Sequence, residues 1–184
     1  MNQTTLRITR TAMFLALAFV FQLFGRLVSL GDYNTFIVGS MVNACLIIST
    51  LTVGLWSGVA LAVLTPLTAL FTVHSAVSAF LLPFAPFVAL GNLTIVLFIY
   101  MFRNKNKVVG LITGAVFKFG ILLGSVNLCL YVIGGAFNMK QPIAQKLATF
   151  MFSWPQLVTA VLGGIVSFAV IKALNKSFKL TQTA

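Results

Sequence analysis

The chain has 184 residues, of which 60% are hydrophobic and 7% are charged. A water-soluble domain is about half apolar and about a quarter charged, so these few charges cannot cover a surface that faces water. We therefore expect an integral membrane protein.

Six apolar runs follow one another along the chain. A helix needs about 20 residues to cross a bilayer, and six such helices leave no room for a separate soluble domain. The pattern predicts an all-α integral membrane protein, a compact bundle of six transmembrane helices in a single membrane domain over 1–184. The predicted spans cover about 8–30, 35–53, 59–73, 82–102, 108–132 and 147–173.

The first run follows Arg7 and Arg10 and contains an Ala-x-Ala sequence that ends at Ala18. Positive charge, an apolar run and small residues are also typical of a cleaved signal peptide. Because the run continues to Phe24, we expect a retained first span.

The second and third runs are separated by residues 54–58, which include two glycines and predict a tight corner. Pro66 lies inside the third run. Since proline cannot donate a backbone hydrogen bond, it predicts a kink in that helix.

Twelve basic residues stand against one acid, Asp32, for a net charge of +11. With the N-terminus in the cytoplasm, eight basic residues lie on the cytoplasmic side and three outside, while Lys118 lies within a span. The positive-inside rule therefore predicts cytoplasmic N- and C-termini. These charges set topology at span ends, so we expect no nucleic-acid binding. The eight are Arg7, Arg10, Arg103, Lys105, Lys107, Lys172, Lys176 and Lys179.

Small residues recur at four-residue spacing in the last two runs. On a helix this spacing places both residues on one face, which lets a neighbouring helix approach closely. We expect these faces to pack within the bundle. The pairs are Gly110/Gly114, Gly120/Gly124, Ala160/Gly164 and Gly163/Ser167.

A single acid excludes several functions. Asp32 alone cannot hold the metal ions of a phosphate-processing enzyme, and the spans contain no carboxylate of the kind that proton- or sodium-driven carriers use. There is no phosphate-binding loop, and His74 has no partner for a metal site. We expect no enzyme activity, no cofactor and no metal. Uphill transport would need energy from a partner.

Lys118 lies near the middle of the fifth run, where an isolated amine is costly. One interpretation is that it meets a substrate anion or carbonyl. Another is that it hydrogen-bonds amides such as Asn92, which lies at a similar depth in the fourth run. Both remain open. Asn43, in the second run, is equally suited to a ligand or to a neighbouring helix.

Further candidate ligand contacts lie toward the predicted outer side. A binding pocket combines apolar walls with a few polar groups, and Trp154-Pro155-Gln156 offers a ring and an amide beside a proline. Aromatic residues at this depth also form interfacial belts, which is the alternative explanation. The candidates are Arg26, Tyr33, Asn34, His74, Asn127, Tyr131, Trp154 and Gln156.

The combination resembles the substrate-binding S components of energy-coupling factor (ECF) vitamin transporters. The resemblance rests on six short spans, on Ala12-x-x-x-Ala16 in the first span, and on the absence of an energy source. Three further stretches resemble the family: 83–92, 114–119, and 154–160 with Gly163-Gly164.

This resemblance implies that Ala12 and Ala16 contact the transmembrane scaffold (T) subunit of a transporter. Two cytoplasmic ATPases would complete that transporter. The alanine pattern can extend by another turn in the family, and here that position is Val20. The S component would bind a vitamin or related micronutrient outside a bacterial plasma membrane, topple and release it inside. The loop after the first span would gate the pocket.

The ligand itself is not encoded in these motifs. The basic residues and the near absence of acids favour a neutral or anionic molecule; riboflavin-, pyridoxine-, pantothenate-, lipoate- and cobalamin-type ligands remain open. Two other functions remain open: a stand-alone facilitator or channel, and a structural subunit of a membrane complex without a ligand.

Overall fold

The computed structural model describes residues 2–28, 33–72, 84–132 and 153–182, with side chains except at positions 26, 72, 129, 130, 132 and 177–182. In these residues all regular structure is helical, which confirms the predicted fold class. The six helices are α1 (Gln3–Leu27), α2 (Tyr33–Thr52), α3 (Leu55–Thr72), α4 (Ala85–Phe102), α5 (Lys107–Val132) and α6 (Trp154–Gln182).

Five of the helices, all but α3, are long and apolar enough to cross a membrane. The apolar part of α3, Leu55–Phe71, is shorter, yet it packs against α1, α2 and α4 as a full member of the bundle. The chain is therefore a multi-pass membrane protein.

The centre of the bundle is α2, which packs against α1, α3, α4 and α6. Every residue from Asn43 to Thr50 is buried. A helix buried on all sides lies in a core, whereas a peripheral helix buries one stripe. The apolar composition of α2 therefore serves packing between helices as well as contact with lipid.

Two hydrophobic clusters meet at α2 and α4. Leu46 and Val96 belong to a cluster with α1 and α3, while their neighbours Ile47 and Ile95 belong to a cluster with α5 and α6. Consecutive helical residues point about 100° apart, so one turn of each helix supplies both clusters. This arrangement joins the two halves of the bundle.

Helix α1 lies at the edge and packs against α2 and α3. Its inner face buries Ala18, with Phe14, Leu15 and Phe21 packed around the same cluster. Its outer face is exposed, including Ala12, Ala16 and Val20. The spacing of four residues therefore places these side chains in one exposed stripe, flanked by the larger Met13 and Leu17.

The corner between α2 and α3 is shorter than predicted. Val53 and Gly54 both donate backbone hydrogen bonds to the Ser49 carbonyl, which closes the end of α2. Gly54 adopts φ 130°, a conformation open to glycine and strained for other residues. Because α3 begins at Leu55, Gly58 lies inside the helix, against Thr50 and Val96. Pro66 lies within α3, which stays helical on both sides of it.

The last helix begins later than predicted. We expected a start near residue 147, but α6 begins at Trp154. The Ser153 hydroxyl accepts a hydrogen bond from the Trp154 N–H, and Pro155 occupies the first turn, where its missing N–H has no cost. Residues 147–152 lie outside the described part of the chain. Because these residues are mostly apolar, the hydropathy pattern does not show where α6 begins.

Three of the four predicted small-residue pairs pack as expected. Gly110 and Gly114 lie against α4, Gly164 lies against Leu111, and Gly163 lies against the α2 backbone. The Ser167 hydroxyl lies 3.3 Å from the Ala44 carbonyl. The prediction is wrong for Gly120 and Gly124, because a Cβ at either position would meet no atom within 4 Å. The spacing alone does not show which face of α5 turns inward.

The contact at Gly163 predicts a stability difference. A Cβ there would lie 2.7 Å from the Ser40 carbonyl oxygen and from the Asn43 Cβ, so Gly163→Ala must push α6 away from α2. Overpacking of this kind costs about 1–3 kcal/mol. We expect a lower midpoint for heat-induced loss of the monodisperse protein in detergent. Gly120→Ala is the matched control and should leave the midpoint unchanged or slightly raised; equal losses in both variants would contradict the close contact.

Candidate functional site

The Lys118 amine lies in the middle of the bundle, and the residue is 3% exposed. Its Nζ donates to Asn43 Oδ1 at 2.9 Å and to Asn92 Oδ1 at 2.8 Å. Because Asp32 is the only acid in the sequence, the described residues contain no side-chain carboxylate that could pair with this amine. Two amide oxygens take the place of a counter-ion, and they join α5 to α2 and α4.

The absence of a side chain at Gly91 leaves space for the aliphatic part of the Lys118 side chain. A Cβ at Gly91 would lie 3.1 Å from Lys118 Cγ and 3.4 Å from Leu122 Cγ. The stem can therefore pass close to the α4 backbone and present its amine to Asn92, the next residue along that helix. The adjacent Gly91 and Asn92 thus act together, one by its small size and the other by its amide.

Asn92 continues the hydrogen bonding to α3 and α1. Its Nδ2 donates to Thr65 Oγ1 at 3.4 Å. The Thr65 backbone carbonyl accepts from Gln22 Nε2 at 3.0 Å, and the Thr68 hydroxyl donates to Gln22 Oε1 at 2.9 Å. Gln22 is the buried amide of α1, and it anchors that helix to α3.

Asn43 continues the hydrogen bonding to α6. Its Nδ2 donates to Thr159 Oγ1 at 3.4 Å, and the Thr159 hydroxyl lies 3.1 Å from the Gln156 carbonyl. One connected set of side chains thus reaches all six helices. We call it the polar network: Gln22, Asn43, Thr65, Thr68, Asn92, Lys118 and Thr159.

The polar network extends from the middle of the bundle toward the end at which α2, α4 and α6 begin. Lys118 lies 11 residues from the start of α5, about 16 Å along the axis at 1.5 Å per residue. Thr159 lies five residues from the start of α6, and Thr68 lies four residues before the end of α3. The members of the polar network therefore lie from the middle of the bundle to this one end.

The other candidate residues that the structure describes occupy the same end of the bundle with varied exposure. Tyr33 is 76% exposed and Tyr131 is 87% exposed, while the exposed Asn127 donates from Nδ2 to the Leu123 carbonyl of its own helix. The Trp154 ring packs against Phe36, with centroids 5.6 Å apart. Gln156 is partly buried beside Thr159. His74 and the side chain of Arg26 lie outside the described residues.

Asn34 has a buried oxygen near this end. Its Oδ1 has no hydrogen-bond donor among the described residues, and it lies against Gly25 of α1. A buried acceptor without a donor is uncommon in a folded protein. It marks the junction of α1 and α2 as a place where a polar group could bind.

Sequence reasoning identified Lys118, Asn92 and Asn43 but missed four members of the polar network. Gln22 carried a usable signal, because it is an amide inside an apolar run. The threonines carried none, since a threonine hydroxyl can bond the carbonyl of its own helix and needs no partner. Among the described residues no group of three or more metal-binding side chains lies together.

The central amine predicts a strong effect of its removal. Lys118→Met leaves the Asn43 and Asn92 oxygens buried without this donor, at a cost of roughly 1–3 kcal/mol for each oxygen. We expect a clearly lower thermal midpoint in detergent. The triple variant Lys118→Met, Asn43→Leu, Asn92→Leu should recover much of the loss, because both partners of each bond are then apolar. Lys105→Met, in an exposed turn, is the control; a single variant as stable as this control would refute the role of the amine.

Comparison with known families completes the description. A family model, "ECF transporter, substrate-specific component", matches residues 6–175 and so covers nearly the whole chain. No curated protein and no solved structure is a significant match. The matched range contains all seven residues of the polar network and both alanines of the exposed α1 stripe. The chain therefore belongs to the family of ECF transporter substrate-specific components, which are membrane transport proteins.

Proposed function

We propose that this chain captures a vitamin or related micronutrient on the extracellular side of a bacterial plasma membrane. It then delivers the ligand inward together with a T scaffold subunit and two cytoplasmic ATPases. The observation that carries the proposal is the buried Lys118 amine held by Asn43 and Asn92. Polar groups inside a membrane protein are costly and mark functional positions by default.

The chemistry of the polar network supports a particular class of ligand. A charged lysine has three N–H donors, and the bonds to Asn43 and Asn92 use two of them. The third suits an acceptor such as a carbonyl or carboxylate oxygen. Since the described residues hold no acidic side chain, a cationic ligand would lack a partner there. We infer a neutral or anionic ligand that is rich in acceptors.

The position of the polar network supports entry from outside. The charge distribution predicts a cytoplasmic N-terminus, which places the end of α1 and the start of α2 at the extracellular surface. The unpaired Asn34 oxygen lies at that junction. A ligand entering there would pass Asn34 and then reach Lys118 deeper in the bundle.

The exposed stripe of α1 supports docking to the scaffold. Ala12 and Ala16 both lie on the outer face, away from the bundle's own contacts. Small side chains at this spacing let two helices approach closely in a membrane. Since the chain has no phosphate-binding loop of its own, an ATP-dependent cycle requires such a partner.

Ligand capture is tested with the purified chain. We expect a small molecule to co-purify, to be identifiable by mass spectrometry, and to bind the isolated chain tightly. Lys118→Met should weaken its binding at least about tenfold, since one charge-assisted hydrogen bond contributes about 1.5–3 kcal/mol. The triple variant with Asn43→Leu and Asn92→Leu, which recovers stability, should still fail to bind, whereas Lys105→Met should bind normally. Normal affinity in the triple variant would give the polar network a structural role alone.

Docking is tested in vesicles that contain the chain, the scaffold and the ATPases. Ala16→Trp should retain ligand binding but abolish ATP-dependent uptake, because the indole keeps the scaffold helix away. Val116→Trp, at an exposed position on α5, is the control and should transport normally. Unchanged uptake by Ala16→Trp would contradict the docking face.

The same preparations distinguish the two alternative functions. ATP-independent flux through the chain alone would indicate a facilitator, and no ligand across a vitamin panel would indicate a structural subunit.

A further inference from the structure

A cavity of about 640 Å³ lies between the first turn of α5 and the later part of α6. It is at the opposite end of the bundle from the Asn34 junction, and none of its residues belongs to the polar network. Its lining combines three lysines and one asparagine with three apolar side chains: Lys107, Lys172, Lys176, Asn175, Val108, Phe168 and Ile171.

The apolar and basic parts of this cavity lie at different depths. Phe168 is 14 residues from the start of α6, about 21 Å along its axis, and Lys176 is about 12 Å further. The hydrocarbon core of a bilayer is about 30 Å thick. Phe168 therefore lies at the level of the acyl chains, whereas Lys176 lies at the level of the headgroups. The cavity crosses the boundary between the two.

The floor of the cavity is continuous with the core. Phe168 packs against the cluster that contains Ile47, Ile95 and Leu111. Its position is therefore fixed by the bundle, and the apolar side of the cavity is a formed surface between two helices.

The three lysines line the same cavity. Lys172 and Lys176 are four residues apart and share one face of α6, while Lys107 lies at the start of α5. The described residues contain no acidic side chain. Topology alone requires basic residues somewhere at this end of the bundle, but it does not require three of them to converge on one cavity with an apolar floor.

We propose that this cavity is a binding site for one anionic phospholipid of the cytoplasmic leaflet. The phosphate accepts hydrogen bonds from the lysines, and an acyl chain lies along Val108, Ile171 and Phe168. Basic pockets between transmembrane helices on the cytoplasmic side suit anionic headgroups. The apolar floor selects a lipid over a free phosphate ion, which would leave that surface uncovered. The site is separate from the ligand site and does not depend on it.

The test is native mass spectrometry of the full chain released from detergent micelles with increasing phosphatidylglycerol. We expect one phosphatidylglycerol to be retained in preference to phosphatidylcholine. The variant Lys107→Gln, Lys172→Gln, Lys176→Gln should retain it roughly a hundredfold less, since each of the three lysines near an anionic surface contributes about a fivefold factor. A thermal midpoint close to that of the unmodified chain verifies that this variant is folded.

The matched control removes three charges at exposed positions of the same predicted side: Arg7→Gln, Arg10→Gln, Lys105→Gln. It should retain phosphatidylglycerol as the unmodified chain does. Equal loss in both triple variants would overturn the proposal, because bulk charge would then explain the binding. Displacement of the lipid by millimolar inorganic phosphate at constant ionic strength would also overturn it, because a free anion would then suffice.

Discussion

The architecture depends on the Lys118 amine, which is buried in a membrane bundle whose described residues contain no acid. Amide oxygens must then hold it, and the two that do so come from different helices. Asn43, Asn92 and Lys118 can meet only if α2, α4 and α5 share one axial register. A shift of one helix by a single residue would move its amide about 1.5 Å and rotate it about 100°. The polar contact thus fixes a register that apolar packing alone specifies weakly, because apolar side chains of similar size can exchange places.

The helices could be predicted from the sequence, but some of their ends could not. Apolar runs place all six elements, because bilayer thickness sets their length. The start of α6 depends on Ser153 and Pro155, which lie inside a run that hydropathy treats as uniform. The start of α3 depends on Gly54, whose φ of 130° completes the turn, so that α3 begins at Leu55, four residues before the predicted start at 59. Local backbone chemistry sets both boundaries.

The sequence predicts how deep in the membrane the candidate residues lie, but not which way their side chains point around the helix. Counting residues along each run places Lys118 and Asn92 at the same level, and the structure joins them. Counting does not show which way a side chain points around its helix. Asn127 and Gly120, both on α5, therefore suggested inward contacts, yet both are exposed. Gln22 could have been found as an amide inside an apolar run, but its partner, the backbone carbonyl of Thr65, could not be predicted from the residue types.

Because α1 is much less buried than α2, α1 is the helix that can more easily exchange its packing partners. In the membrane-crossing stretch of α2, 50% of the residues are buried, against 17% for α1. Displacing α2 would disrupt both hydrophobic clusters at once. Displacing α1 would disrupt one cluster, the hydrogen bonds of Gln22 and the bond between Thr11 and Ser57. Displacing α1 therefore costs less free energy than displacing α2. A helix of another protein that packs along α1 can compete for its contacts without unfolding the remaining helices.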